Sequence, residues 1–232
     1  MAISRMDGSP SEMGRGLPHQ CAHWRAMAFS FLAIPFIRAY NNPKEQEAVD
    51  LKTWQHFKTI TRHRWLVRGG CFRVGLIRQG LTHDLSKYSP TEFWVGAKYY
   101  QGTRSPNAAE REDKGYSEAW MHHKGRNRHH YEYWTDMNRQ TRNYESVPMP
   151  RKYLVEMVMD RRAACLVYQG KNYRDDSALI YFEKSREREL MHEQTRRELG
   201  YILTMLAEKG EKETFRYLKE EVLAGKPFPW EE

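Results

Sequence analysis

The residues of this chain best suited to chemistry are His63, the dipeptide His83-Asp84, the pairs His122-His123 and His129-His130, and Asp160. Imidazoles and carboxylates are the side chains that bind divalent metals. The segments carrying them otherwise have the pattern of amphipathic helices. The combination points to a buried metal site in a helical domain, and so to hydrolytic or oxidative chemistry.

The elements that must position these groups are legible from Asn42-Pro43 onward, where the apolar period is mostly helical. Leu51, Trp54, Phe57, Ile60 and Val67 predict a first helix, which Gly69-Gly70 is expected to break. Cys71, Val74, Ile77, Leu81 and Leu85 predict a second, ending before Ser89-Pro90. Ser89 predicts the cap of a third, with Pro90 at its first position and Glu92 at its third. The stretch 102–115 is polar and reads as a loop. A helix from about Tyr116 carries the first His pair; Gly125 ends or kinks it, and the second pair opens the next segment. After Pro148 and Pro150 a strong helix presents Tyr153, Met157, Ala164 and Val167 on one face. A long charged helix over about 177–208 and a short one over about 211–223 complete the set. No strand pattern and no internal repeat stand out. The expected fold class is all-α: residues 1–43 form an N-terminal extension, disordered or amphipathic, and residues 44–232 a helical domain. The apolar run 26–37 is too short to span a bilayer and contains Pro35, so no transmembrane segment is expected.

His63 lies three residues after Ile60 and four before Val67, which puts it on the apolar side of the first helix. Asp84 lies three after Leu81 and seven after Ile77, and Asp160 three after Met157 and four before Ala164. Two carboxylates and an imidazole are thus expected to point inward from three helices. A lone inward His is usually a satisfied core residue, and a lone inward Asp a cap or ion pair. A buried carboxylate must be paired or metal-bound, because burying it bare costs several kcal/mol. It is the joint pattern that points to a common metal site.

Around that pattern lie further candidates. Lys87 is either a contact for an anionic group or a solvated lysine suited to a helix C-terminus. Arg126 and Arg128 flank Asn127 between the His pairs and suit a phosphate, with Asn127 as a substrate or water contact. Tyr131, Tyr133 and Trp134 either stack on a base or pack, packing being the simpler role for Trp134. Glu92 is a helix cap or a site-facing carboxylate, the cap being simpler. Glu132 is a candidate general acid or base.

The order His, His-Asp, His, His, Asp resembles the HD-domain superfamily of metal-dependent phosphohydrolases. The run Gly80-Leu81-Thr82-His83-Asp84-Leu85-Ser86-Lys87 is similar to that superfamily's LLHDIGK-type segment. HDLSKYSPTEF from His83 to Phe93, with HHKGRNRHHYEYW from His122 to Trp134, looks like a smaller, poorly characterised branch found in bacteria and their phages. The resemblance spans roughly residues 50–170. It implies an HD-like helical bundle in which His63, His83, Asp84 and Asp160 hold one divalent ion, with Asp84 bridging to a second. His122, His123, His129 and His130 would supply the second, with His123 and His130 favoured. The implied cofactor is one or two ions among Mn, Fe, Co, Ni, Zn and Mg. Beside the ligands, the catalytic candidates are Asp84, Lys87 and Glu132, and the substrate-binding candidates Lys87, Arg126, Asn127 and Arg128. The chain departs from members with the extended pattern in the close spacing of its His pairs.

The 232 residues are enough for a substantial core. Aromatics at 13% argue against disorder for most of the chain. Cys21, Cys71 and Cys165 are odd in number and widely spaced, which suits a reducing, cytoplasmic compartment rather than a disulfide framework. The formal charge of +8 favours anionic partners: a phosphorylated small molecule or nucleotide, nucleic acid, or an anionic membrane face. The leading expectation is hydrolysis of a phosphomonoester or phosphodiester by metal-activated water. Two others compete with it: a di-iron HD-type oxygenase, and a non-enzymatic, basic nucleic-acid-binding HD-like protein.

Overall fold

The computed structural model describes residues 43–185 and 190–231. The N-terminal extension with its apolar run, and Cys21 within it, lie outside the described residues. The chain divides after Gln46, and the unit Glu47–Glu232 holds all the contacts described below. Its class is all-α. Among the described residues the helices are α1 (Pro43–Arg73), α2 (Ile77–Thr82), α3 (Pro90–Tyr99), α4 (Pro106–Lys114), α5 (Glu118–Lys124), α6 (Arg151–Gln169), α7 (Ser177–Ser185) and α8 (Glu193–Tyr217). One small antiparallel hairpin, β1 (Thr135–Met137) with β2 (Tyr144–Ser146), interrupts them. No helix among the described residues is long and apolar enough to cross a membrane.

Helix α1 buries Thr53, His56, Ile60, His63, Val67 and Cys71, a stripe at steps of three and four. Leu51, assigned to the apolar stripe from sequence, is exposed, and Trp54 and Phe57 stack on each other at its edge. Gly69-Gly70 does not break the helix. A Cβ at Gly70 would come within 2.7 Å of Met159 Sδ, so this glycine lets α1 approach α6 closely. The break comes at Gly75, whose φ of +90° suits glycine. Cys71 therefore belongs to α1. Of the other apolar residues assigned to the second helix, Val74 is buried just beyond α1, whereas Ile77, Leu81 and Leu85 are exposed.

Helix α6 is the central beam. It is buried along Leu154, Val155, Met157, Val158, Met159 and Ala163, and packs with Val67 and Cys71 of α1, Phe182 of α7 and Leu199, Ile202 and Leu203 of α8. The stretch 102–115 is not all loop, because Pro106 at the first position starts α4. The long charged segment is two helices, α7 and α8, and the last short helix continues α8 past a kink at Gly210 (φ +73°) into a π turn. The capping predicted at Ser89 is present, its Oγ accepting from the Glu92 N–H.

Glu211, just beyond the kink, accepts from Arg73 of α1 (2.8 Å) and from Arg162 Nε of α6 (2.6 Å). Burial pushes its carboxyl up, but the two guanidiniums hold it below the ordinary Glu value of 4.5. The contribution is therefore full above that value and is lost as pH falls through the lowered one. We predict that Glu211→Gln lowers unfolding free energy by about 1 kcal/mol at pH 7. In urea titrations the difference between variant and parent should shrink below about pH 4.

Candidate metal centre

The site is built where α2 ends. His83 leaves the helix in an extended conformation and Asp84 follows in the left-handed region (φ 52°, ψ 27°). Aspartate tolerates that region better than most residues because its short side chain bonds locally. The reversal sends the Asp84 side chain inward, with no exposed surface. The burial of Asp84 thus comes from the turn and not from an apolar helix face. Arg64, next to His63 on α1, donates to the His83 carbonyl (2.8 Å) and the Leu81 carbonyl (3.2 Å). One helix thereby supplies an imidazole to the interior and satisfies the carbonyls left at the end of α2.

Each oxygen of Asp84 faces its own set of ligand atoms. Oδ2 lies 3.5 Å from His63 Nε2 and 3.3 Å from His83 Nε2, and both nitrogens also face Asp160 Oδ1, at 2.9 and 3.4 Å. Oδ1 lies 3.3 Å from His123 Nε2 and 3.4 Å from His129 Nε2, with His130 in the same group. In each quartet, His63–His83–Asp84–Asp160 and Asp84–His123–His129–His130, the ligand atoms lie within 4.8 Å of one another. Among the described residues, Asp84 Oδ1 and Nε2 of His83, His123, His129 and His130 are buried without a hydrogen-bond partner, while Asp84 Oδ2 meets Lys87 Nζ at 2.6 Å. Buried polar atoms are rarely left unbonded. Five of them, with Asp84 Oδ2 beside them, converge on two points and fit one divalent ion at each.

The far sides of the rings are held by carboxylates. Glu156 Oε1 accepts from Nδ1 of both His83 (2.9 Å) and His129 (3.2 Å), and Glu92 Oε2 accepts from His123 Nδ1 (2.7 Å). This carboxylate–histidine pairing sets the tautomer that offers Nε2 to a metal. His83, His129 and Glu156 are themselves close enough to hold an ion, but their facing atoms are already joined by these hydrogen bonds. Burial works against every charge here, and neighbours decide the outcome. Burial pushes Asp84 up, yet His83 and Lys87 hold it well below its ordinary value, and bonds from His63 and His83 do the same for Asp160. Burial pushes His83 down, and Asp84, Asp160 and Glu156 hold it well above. Burial and the neighbouring imidazoles keep His129 and His130 low, in the neutral form that binds metal.

The structure brings together seven of the eight residues expected to bind metal. The exception is His122. Its Nδ1 meets Glu92 Oε1 (2.6 Å) on the outer side of α5 and belongs to neither quartet. Glu92 both receives the Ser89 cap and faces the site, through His123. Helix α5 ends at Lys124, before Gly125 as the sequence suggests, and His129 and His130 sit in a turn from which both rings reach one point. Asn127 shapes that turn, donating to the His123 carbonyl (2.8 Å) and to Ser86 Oγ (2.9 Å), and does not line the adjoining cavity. Arg126 and Arg128 do not line the adjoining cavity. Arg126 bonds the His122 carbonyl, and Arg128 packs over Tyr133 and Tyr153. Trp134 packs on Tyr153 and donates to the Arg128 carbonyl. Lys87 Nζ lies 2.6 Å from Asp84 Oδ2. Glu132 lines the cavity, with Oε2 buried and unbonded among the described residues and its carboxyl pushed up by burial. Glu156 was missed from sequence. Its signal was its place four residues before Asp160, on the same face of α6.

An all-α unit with a buried His/Asp cluster able to hold metal is the class that fold and site define. The chain belongs to the family described as "Family of unknown function (DUF5662)", which it matches over residues 52–205, a span containing every residue of the cluster. No curated protein and no solved structure matches it.

Removing Glu156 should loosen both halves of the site at once. We predict that Glu156→Ala lowers Mn²⁺ affinity at both positions by about 10- to 100-fold. His122→Ala should leave two equivalents bound, as read by calorimetry and mass-spectrometric metal analysis.

Proposed function

We propose that the chain is a metal-dependent phosphohydrolase acting on phosphate esters. The observation that carries this reading is the carboxylate of Asp84, whose two oxygens face two separate quartets of buried ligand atoms. Such a bridged pair suits in-line displacement at phosphorus. The likeness of the Gly80–Lys87 segment, and of the order His, His-Asp, His, His, Asp, to HD-domain phosphohydrolases supports it. Divalent ions held by the quartets would lower the pKa of a water nucleophile and neutralise phosphoryl oxygens.

The remaining work falls to the chain's own groups. Lys87, beside Asp84 on the cavity wall, binds a phosphoryl oxygen. Glu132, whose burial favours the protonated form, gives its proton to the leaving oxygen. Glu92 and Glu156 keep the imidazoles oriented. A second reading, a di-iron oxygenase, draws support from the five imidazoles in the two quartets, a donor set compatible with iron. O₂-dependent turnover and an iron optical signal would favour it.

The test uses variants that keep the backbone. Asp84→Asn, which tolerates the left-handed turn, and His83→Ala should abolish phosphate-ester hydrolysis and reduce bound metal. Unchanged metal content in both would overturn the proposal. Glu132→Gln should keep its metal while kcat falls roughly 10²- to 10⁴-fold.

A further inference from the structure

The cavity beside the quartets carries information about the ligand that the metal-binding atoms do not. His63, His123, His130 and Asp160 form one side of it, and it extends through about 540 Å³. Cavities of about 300–1,000 Å³ hold a single small molecule. Its other walls are mostly apolar, including Tyr100, Trp120, Tyr131, Tyr168, Met157 and Val167, with Thr59, Thr103, Ser105, Asn107 and Gln169 as polar interruptions. Trp120 stands beside the metal-facing rings, 5.7 Å from that of His123 and 4.7 Å from that of His130. An indole surface therefore adjoins the place where a reacting group would lie.

Positive charge in the cavity is scarce. Its lysine and arginines are Lys87, Arg104 and Arg161. Lys87 lies against Asp84, and both terminal nitrogens of Arg104 are held by Glu112 at the rim. Arg161 stands over the rings of Tyr181 and Phe182 and within the field of Glu132. His56 adds no charge at neutral pH, because burial and then Lys87 push it down to about 4. It is also fixed in place: a Cβ at Gly96 would come within 2.5 Å of its Nε2. A second or third phosphate would find only Arg104 and Arg161, already engaged by Glu112 and by the rings of Tyr181 and Phe182, and its desolvation would be poorly offset.

We infer that the cavity selects a ligand with one phosphoryl group and a compact, flat, largely apolar body lying along Trp120 and Tyr131. That is an aryl or nucleoside phosphomonoester, and neither a polyphosphate nor a dinucleotide. The assignment of the anionic end rests on the phosphohydrolase reading, whereas the size and character of the walls do not.

The experiment uses the full chain loaded with Mn²⁺. Calorimetry compares phenylphosphonate with methylphosphonate, neither of which is hydrolysed. Rates compare 4-nitrophenyl phosphate, a nucleoside 5′-monophosphate and the matching triphosphate. Phenylphosphonate should bind at least about 10-fold tighter, as burial of its ring requires. Ala164→Phe, which fills the cavity, should erase that preference with metal content unchanged, and Trp120→Ala should weaken it by removing surface. The two monophosphates should exceed the triphosphate at least about 10-fold in kcat/KM, and the faster of them identifies the body as aryl or nucleoside. Equal affinity for the two phosphonates, or preference for the triphosphate, overturns the inference. A retained phenylphosphonate preference without hydrolysis of any ester would sink the phosphohydrolase reading and leave the cavity assignment standing.

Discussion

The constraint on which the rest of the structure depends is the burial of one carboxylate, that of Asp84, at the end of a six-residue helix. A carboxylate without exposure loses several kcal/mol of hydration, and a non-glycine residue in the left-handed region adds about 1 kcal/mol more. Such a group persists only where its surroundings over-determine it. Here they do. Four imidazole nitrogens and Lys87 Nζ lie within 3.5 Å of its two oxygens. Arg64 holds the carbonyls on either side of Thr82 in place.

Helix α6 carries the other half of this balance. Met159 meets Gly70 of α1 closely enough to fix the distance between the two helices, and Asp160 reaches His63 across that gap. One turn earlier, a single oxygen of Glu156 holds imidazoles from both quartets. The two quartets therefore share a bridging carboxylate on one side and an orienting carboxylate on the other. A shift in either is felt by both, which gives a preorganised site on rigid elements. The N-terminal half of the site is tied in similarly by Glu92, which links α3 to both histidines of α5.

The cavity complements this rigidity with a different chemistry. Asp160 and Lys87 lie on its metal-facing side, while most of the remaining wall is aromatic and aliphatic. The basic character of the chain as a whole is not repeated inside. Arg126 and Arg128, the arginines nearest the His pairs in sequence, are used on the outside for packing and capping. Net charge therefore said little about the cavity.

Several features were determined by the sequence alone. Residue type named the ligands, helical periodicity gave the all-α class, and position between Ile60 and Val67 turned His63 inward, since these depend only on side-chain chemistry and the 3.6-residue repeat. The cap at Ser89 was equally local. Tertiary structure decided the rest. Asp84 is buried by a turn, although the apolar residues used to predict its direction, Ile77 and Leu81, are exposed. Whether His129 and His130 both reach the site depends on α5 ending at Lys124, and the turn that follows is pinned by Asn127 to Ser86, 41 residues away. His122 and His123 are chemically identical neighbours, and only the position of Glu92 on α3 and Asp84 beyond α2 assigns one outward and the other inward. Contacts between segments distant in sequence have no period, so no pattern within a single segment could reveal them.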